Sequence, residues 1–165
     1  MKKVYILWCA LVSLATMGYA QKQVFLPDSL RCYDLNDSNS RWCWQRSAQT
    51  DNIIVFWEKG FGDDLSNPPT LEGKSMSFDL DNLLQRVETF YAYFRDSLRF
   101  TLPGSKAERY KMMVMVNYSL DGTAYGGTYD NFIGALWVAP NRIQDRKLNC
   151  IAHELGHSFQ LQIPD

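Results

Sequence analysis

Three runs along the chain are apolar at nearly every position, and two stretches repeat their apolar positions at helical spacing. Asn52-Ile53-Ile54-Val55-Phe56-Trp57 is dense in β-branched and aromatic residues and stops at Lys59-Gly60, so it reads as a buried strand. Tyr110 to Val116 and Phe132 to Val138 read the same way, the latter halted by Pro140-Asn141. Between the first two, Leu80, Leu83, Leu84, Val87, Phe90, Tyr91 and Phe94 recur at a period near 3.6. That pattern predicts a helix capped by Asp79 or Asp81 and running to about Phe100, with Leu102-Pro103-Gly104 ending it. A last helix is expected from about Asp145, its apolar face carried by Ile151, Leu155 and Phe159.

Turn chemistry fills the gaps. Residues 61–74 hold Gly62, Asp63, Asp64, Asn67, Pro68, Pro69 and Gly73 and read as a loop. Asp121-Gly122, Gly126-Gly127 and Asp130-Asn131 mark further turns, with room for a short strand among them. Strands and helices mixed in this way predict an α+β domain: a mixed, twisted sheet with two packed helices. The aromatic share of 14% argues against disorder.

The first twenty residues do not fit that scheme. Lys2 and Lys3 precede an apolar run from Val4 to Met17, and Gly18-Tyr19-Ala20 follows with small residues where a signal peptidase reads. Residues 1–20 are expected to be a cleaved export leader, with Gln21 first in the mature chain; the rival is a membrane anchor, for which the run is short. The expected location is secreted, periplasmic or cell-surface. Losing Lys2 and Lys3 takes the formal charge from -1 to -3, a mildly acidic balance that suggests no nucleic-acid groove and no anionic membrane patch.

Outside the cytoplasm thiols tend to pair, so Cys32 and Cys43 are expected to bridge within an N-terminal extension over residues 21–50. Cys150 is then odd: a free thiol, an intermolecular bridge, or half of a pair. In that extension Trp42 and Trp44 either offer an aromatic platform to a sugar or peptide or cover a small core. Asp63-Asp64 lacks regular calcium-ligand spacing and reads as a solvated loop. Asn36 and Asn117 each begin a glycosylation acceptor triplet.

The chemistry concentrates in the last helix. His153 and His157 are the two histidines of the chain, and their spacing of four puts both imidazoles on one helix face, close enough to share a metal. Zinc is the expected cofactor, Glu154 between them is the expected general base for water activated by the metal, and Tyr125 and Tyr129 are read by default as packing residues, with oxyanion stabilisation the alternative for either.

His153-Glu154-Leu155-Gly156-His157, preceded by Ile151-Ala152, resembles the active-site helix of zincin metallopeptidases, and the element order resembles their N-terminal subdomain over residues 51–165. Trp57 to Gly62 is also similar to uncharacterised secreted zincin-like proteins of bacteria. The resemblance implies a secreted zinc peptidase acting on extracellular protein or peptide. It further implies that the strand before the motif helix lies at the sheet edge and pairs with substrate, a part that falls to Gly134, Ala135, Leu136 and Trp137. The third zinc ligand departs from pattern. Gln160 and Ile163 stand where metzincins have Gly and His, so the likeness is gluzincin-like, with a Glu expected from a later helix. Cys150 and Asp165 are weaker ligand candidates, and the chain reads as the front part of a longer protein. A non-catalytic extracellular binding module or an inactive fragment are the competing readings.

Overall fold

The computed structural model describes residues 21–162. The expected leader and the ligand candidate Asp165 lie outside that range. A short helix α1 (Asp28–Arg31) leads to β1 (Ser47–Gln49) and β2 (Ile53–Trp57), then α2 (Leu80–Ala92), α3 (Lys106–Arg109) and β3 (Met112–Val116). The hairpin strands β4 (Ala124–Tyr129) and β5 (Ile133–Val138) follow, and α4 (Asn149–Gln160) carries the histidines. The class is mixed α+β, with one five-stranded sheet in the order β1-β2-β3-β5-β4. β2, β3 and β5 run parallel, while β1 and β4 close the two sides antiparallel.

Strands buried on both faces read as continuous apolar runs, and β2 and β3 are buried at every position. Alternate side chains divide two cores. Val55, Trp57, Val114, Val116, Leu136 and Val138 meet Leu83, Val87 and Tyr91 of α2 and Ile151, Leu155 and Phe159 of α4. Ile54, Phe56, Met113, Met115 and Ala135 point the other way, onto Leu30, Leu35 and Trp42. Residues 21–50 therefore form a third layer of the same body, and β1 extends the sheet itself.

That layer is fastened without the expected bridge. Cys32 and Cys43 are free thiols. Cys32 is exposed at the end of α1, its Sγ donating to Ser29 O at 2.8 Å, whereas Cys43 is fully buried on extended backbone. Other contacts close the loop between them. Trp44 N donates to Leu35 O at 2.8 Å, and buried Arg46 donates from Nη1 to Ser38 O at 2.9 Å and from Nη2 to Ser40 O. Trp42 is core, while Trp44 is 38% exposed and leans on Phe56.

Two helix boundaries differ from expectation. Asp79 caps α2 by accepting from Asn82 N at 2.9 Å, but the helix widens after Ala92 into a π-helical turn, Tyr93–Ser97, and stops where Arg99 takes φ 60°. The motif helix starts at Asn149 rather than Asp145. Asp145 instead caps a turn, with Lys147 N on its carboxylate and Leu148 N on its carbonyl, and buried Leu148 enters the helix from φ 52°.

Candidate metal centre

α4 lies across β4 and β5 with its apolar face inward, which leaves His153 and His157 exposed on the opposite side. Their rings stand edge to face, 4.6 Å between centroids at 89°, with the two Nε2 atoms 3.1 Å apart. Two nitrogens on one tetrahedral zinc, each at about 2.0–2.1 Å, would be separated by roughly 3.3–3.4 Å. The pair fits two positions of a zinc shell with a shift of a few tenths of an ångström. Among the described residues no group of three or more His, Cys, Asp or Glu gathers around a metal position, so Cys150 does not join the histidines. His157 Nδ1 faces Gln160 Oε1 at 3.2 Å.

Glu154 is half-buried and does not share the histidines' point of focus. Its Oε2 accepts from Gly126 N at 2.8 Å. The β4–β5 register explains why that donor is free. Ala139 N donates to Thr123 O, so Tyr125, Gly127 and Tyr129 are the ladder-bonded positions, and Ala124, Gly126 and Thr128 turn their N–H and C=O groups away from β5. Gly126 also lets the helix in. A Cβ there would stand 1.8 Å from Glu154 O. Behind it, the buried Ser158 hydroxyl lies 2.9 Å from Ala135 O and 3.2 Å from Glu154 O, tying α4 to β5.

This geometry corrects several sequence expectations. Gly134, Ala135, Leu136 and Trp137 do not line an edge, because β5 is hydrogen-bonded to β3 on one side and β4 on the other. The edge strand on this side of the sheet is β4, formed by residues whose Gly126-Gly127 pair reads as a turn in the sequence. Glycine inside a strand instead marks close approach of another backbone, here α4. Tyr125 and Tyr129 keep their default packing role, around Trp137 on the far face of the sheet and away from Glu154. A Cβ at Gly156 would meet the Phe94 ring, which the π-turn delivers, at 3.2 Å.

Trp57 to Gly62 proves structural. Glu58 accepts from Arg41 Nε at 2.8 Å and Tyr118 N at 3.0 Å, and Gly60 sits under the Tyr118 ring, where a Cβ would be 2.4 Å from it. Asp64 is held in its own loop by Ser66, whose hydroxyl and N–H keep the carboxyl below its usual range. No described helix is long and apolar enough to cross a membrane. No curated protein and no solved structure matches the chain. The family assignment rests on the sequence itself: the chain belongs to a family of unknown function, DUF6055, matched over residues 16–164.

Proposed function

We propose that the protein is a secreted zinc-dependent peptidase whose zincin-like N-terminal subdomain spans residues 51–165. The observation that carries this reading is the pair of Nε2 atoms 3.1 Å apart on one exposed helix face, with a carboxylate from the intervening Glu154 held at the neighbouring strand. A five-stranded sheet with an antiparallel edge and two helices on one face supports the same reading.

His153 and His157 would hold the metal through Nε2, and a third ligand would come from outside the described residues. Zinc, when bound, supplies a Lewis acid that lowers the pKa of a coordinated water toward about 7 and polarises a carbonyl. Glu154 then has the general-base role: its carboxylate takes a proton from the attacking water and passes it to the leaving amine. The outward N–H and C=O groups of Ala124 and Thr128, with the Gly126 carbonyl, offer an extended peptide a pairing edge along β4. That edge replaces β5 as the proposed substrate strand.

Metal analysis and casein hydrolysis by the protein secreted from its source test this. Zinc should accompany the native protein and vanish in His157→Ala. Glu154→Gln should keep zinc and lose hydrolysis by roughly two orders of magnitude or more. Native protein free of zinc at micromolar metal would overturn the peptidase reading, leaving a binding module.

A further inference from the structure

We propose that Gln160 is a positioning residue that sets His157 in the tautomer ready to bind metal. The inference deepens the zinc reading and rests on it for the identity of the ion. His157 presents Nδ1 to Gln160 Oε1 at 3.2 Å and Nε2 to His153 Nε2 at 3.1 Å. With the Gln160 amide assigned, like the ring hydrogens, from the hydrogen-bond network, its oxygen faces Nδ1 and only accepts, so Nδ1 carries the ring hydrogen and Nε2 keeps its lone pair. The short Nε2–Nε2 approach then has one consistent assignment: His153 donates its Nε2 hydrogen to His157. These tautomers are assigned from the hydrogen-bond network.

The two imidazoles are therefore unequal. His157 already has the coordinating nitrogen free. His153 must transfer its ring hydrogen from Nε2 to Nδ1 before it can act as a ligand through Nε2. Histidines that bind metals characteristically donate their other N–H to an oxygen, which fixes ring orientation and raises ligand basicity. Gln160 supplies that oxygen from the same helix, three residues on and so on the same face. It is the last residue of α4, where Leu161 N closes the turn on His157 O at 3.1 Å and fixes the backbone from which the amide reaches back.

The full zinc-free chain, labelled with nitrogen-15, offers a direct readout because it has two histidines and thus four ring nitrogens. Long-range proton–nitrogen correlations should be recorded, with His153→Ala giving the assignment. His157 should carry its hydrogen on Nδ1 in the parent and in Gln160→Glu, and shift toward Nε2–H in Gln160→Ala. Zinc titrations of the same samples should show Gln160→Ala binding roughly 10–100-fold more weakly, with Gln160→Glu retaining affinity. Circular dichroism checks that each variant is folded. An unchanged His157 tautomer in Gln160→Ala would overturn the proposal, as would a shifted tautomer with undiminished zinc affinity. A shifted tautomer in protein that binds no zinc in any variant would remove the metal reading and leave Gln160's hold on the ring standing.

Discussion

Two glycines at the site look alike in sequence and are opposite in consequence. At Gly126 a methyl group would meet backbone, Glu154 O at 1.8 Å, and neither β4 nor α4 can yield without moving as a unit. At Gly156 it would meet the Phe94 ring at 3.2 Å, a half-buried side chain that can swing by a few tenths of an ångström. Gly126→Ala should cost about 1–3 kcal/mol or more, as overpacking does. Gly156→Ala should fall within about 1 kcal/mol of the parent, since the helix gains a better former as the ring gives way. Urea denaturation of the two variants side by side checks this; equal losses would mean that the Gly126 approach is not the rigid one. Sequence spacing was enough to put His153 and His157 on one helix face, because a helix turns i and i+4 to the same side whatever it packs on. Gly126, Ser158 and Phe94 were not legible as parts of the site. Their roles come from which element lies beside α4, which no local pattern encodes.

Among the elements, strand cores were legible and their neighbours were not. The runs at β2, β3 and β5 are apolar on both faces, a signature independent of partner strands. Which strand stands at the rim depends on pairing order, so a family likeness pointed to β5 when the pairing puts β4 there. The α2 pattern ran to Phe100 because a π-turn keeps the apolar face nearly in phase while widening the ring. The loop between α1 and β1 is the clearest departure, since cysteine spacing suggested a bridge where backbone bonds and Arg46 do the fastening. A reducing agent should therefore leave the melting temperature unchanged, while Arg46→Ala should lower it by several degrees as Ser38 O and Ser40 O lose their donor. A melting temperature that falls on reduction would restore the bridge.

At the scale of the whole molecule, three layers lock together through residues 21–23 as well as through the apolar cores. Gln23 N donates to Arg109 O at 3.0 Å and Lys111 N to Gln23 O at 2.9 Å. Beside them the Lys22 ammonium lies 4.3 Å from the Tyr91 ring centre and donates to Ala107 O at 2.7 Å. Burial first, then the nearby Arg95 charge, lowers Lys22 to about 8, and burial pushes the Tyr91 phenol up to about 12. Lys22 has a lower pKa folded than unfolded, so between about 8 and its ordinary value of 10.5 the unfolded chain holds more protons. Stability should consequently rise with pH from about 8 to 9.5, before the raised Tyr91 pKa begins to act in the other direction above about 10. Denaturation midpoints across that range, compared with Lys22→Met, should show the rise flatten in the variant. An identical slope would assign it elsewhere.

The bond from Glu154 to Gly126 N also bears on how molecules behave toward one another. A sheet rim with unclaimed N–H and C=O groups is a template on which a second chain can add a strand. Here a carboxylate projects across the middle of the rim, claims one of its donors and brings a negative charge to it. Glutamine at this position would retain an oxygen for that donor. Alanine would add the Gly126 N–H to the groups of Ala124 and Thr128 that are already open, and strengthen the rim as a template for intermolecular strand addition. The two customary ways of silencing a carboxylate are thus not equivalent in this protein: one alters proton transfer, and the other also alters self-association.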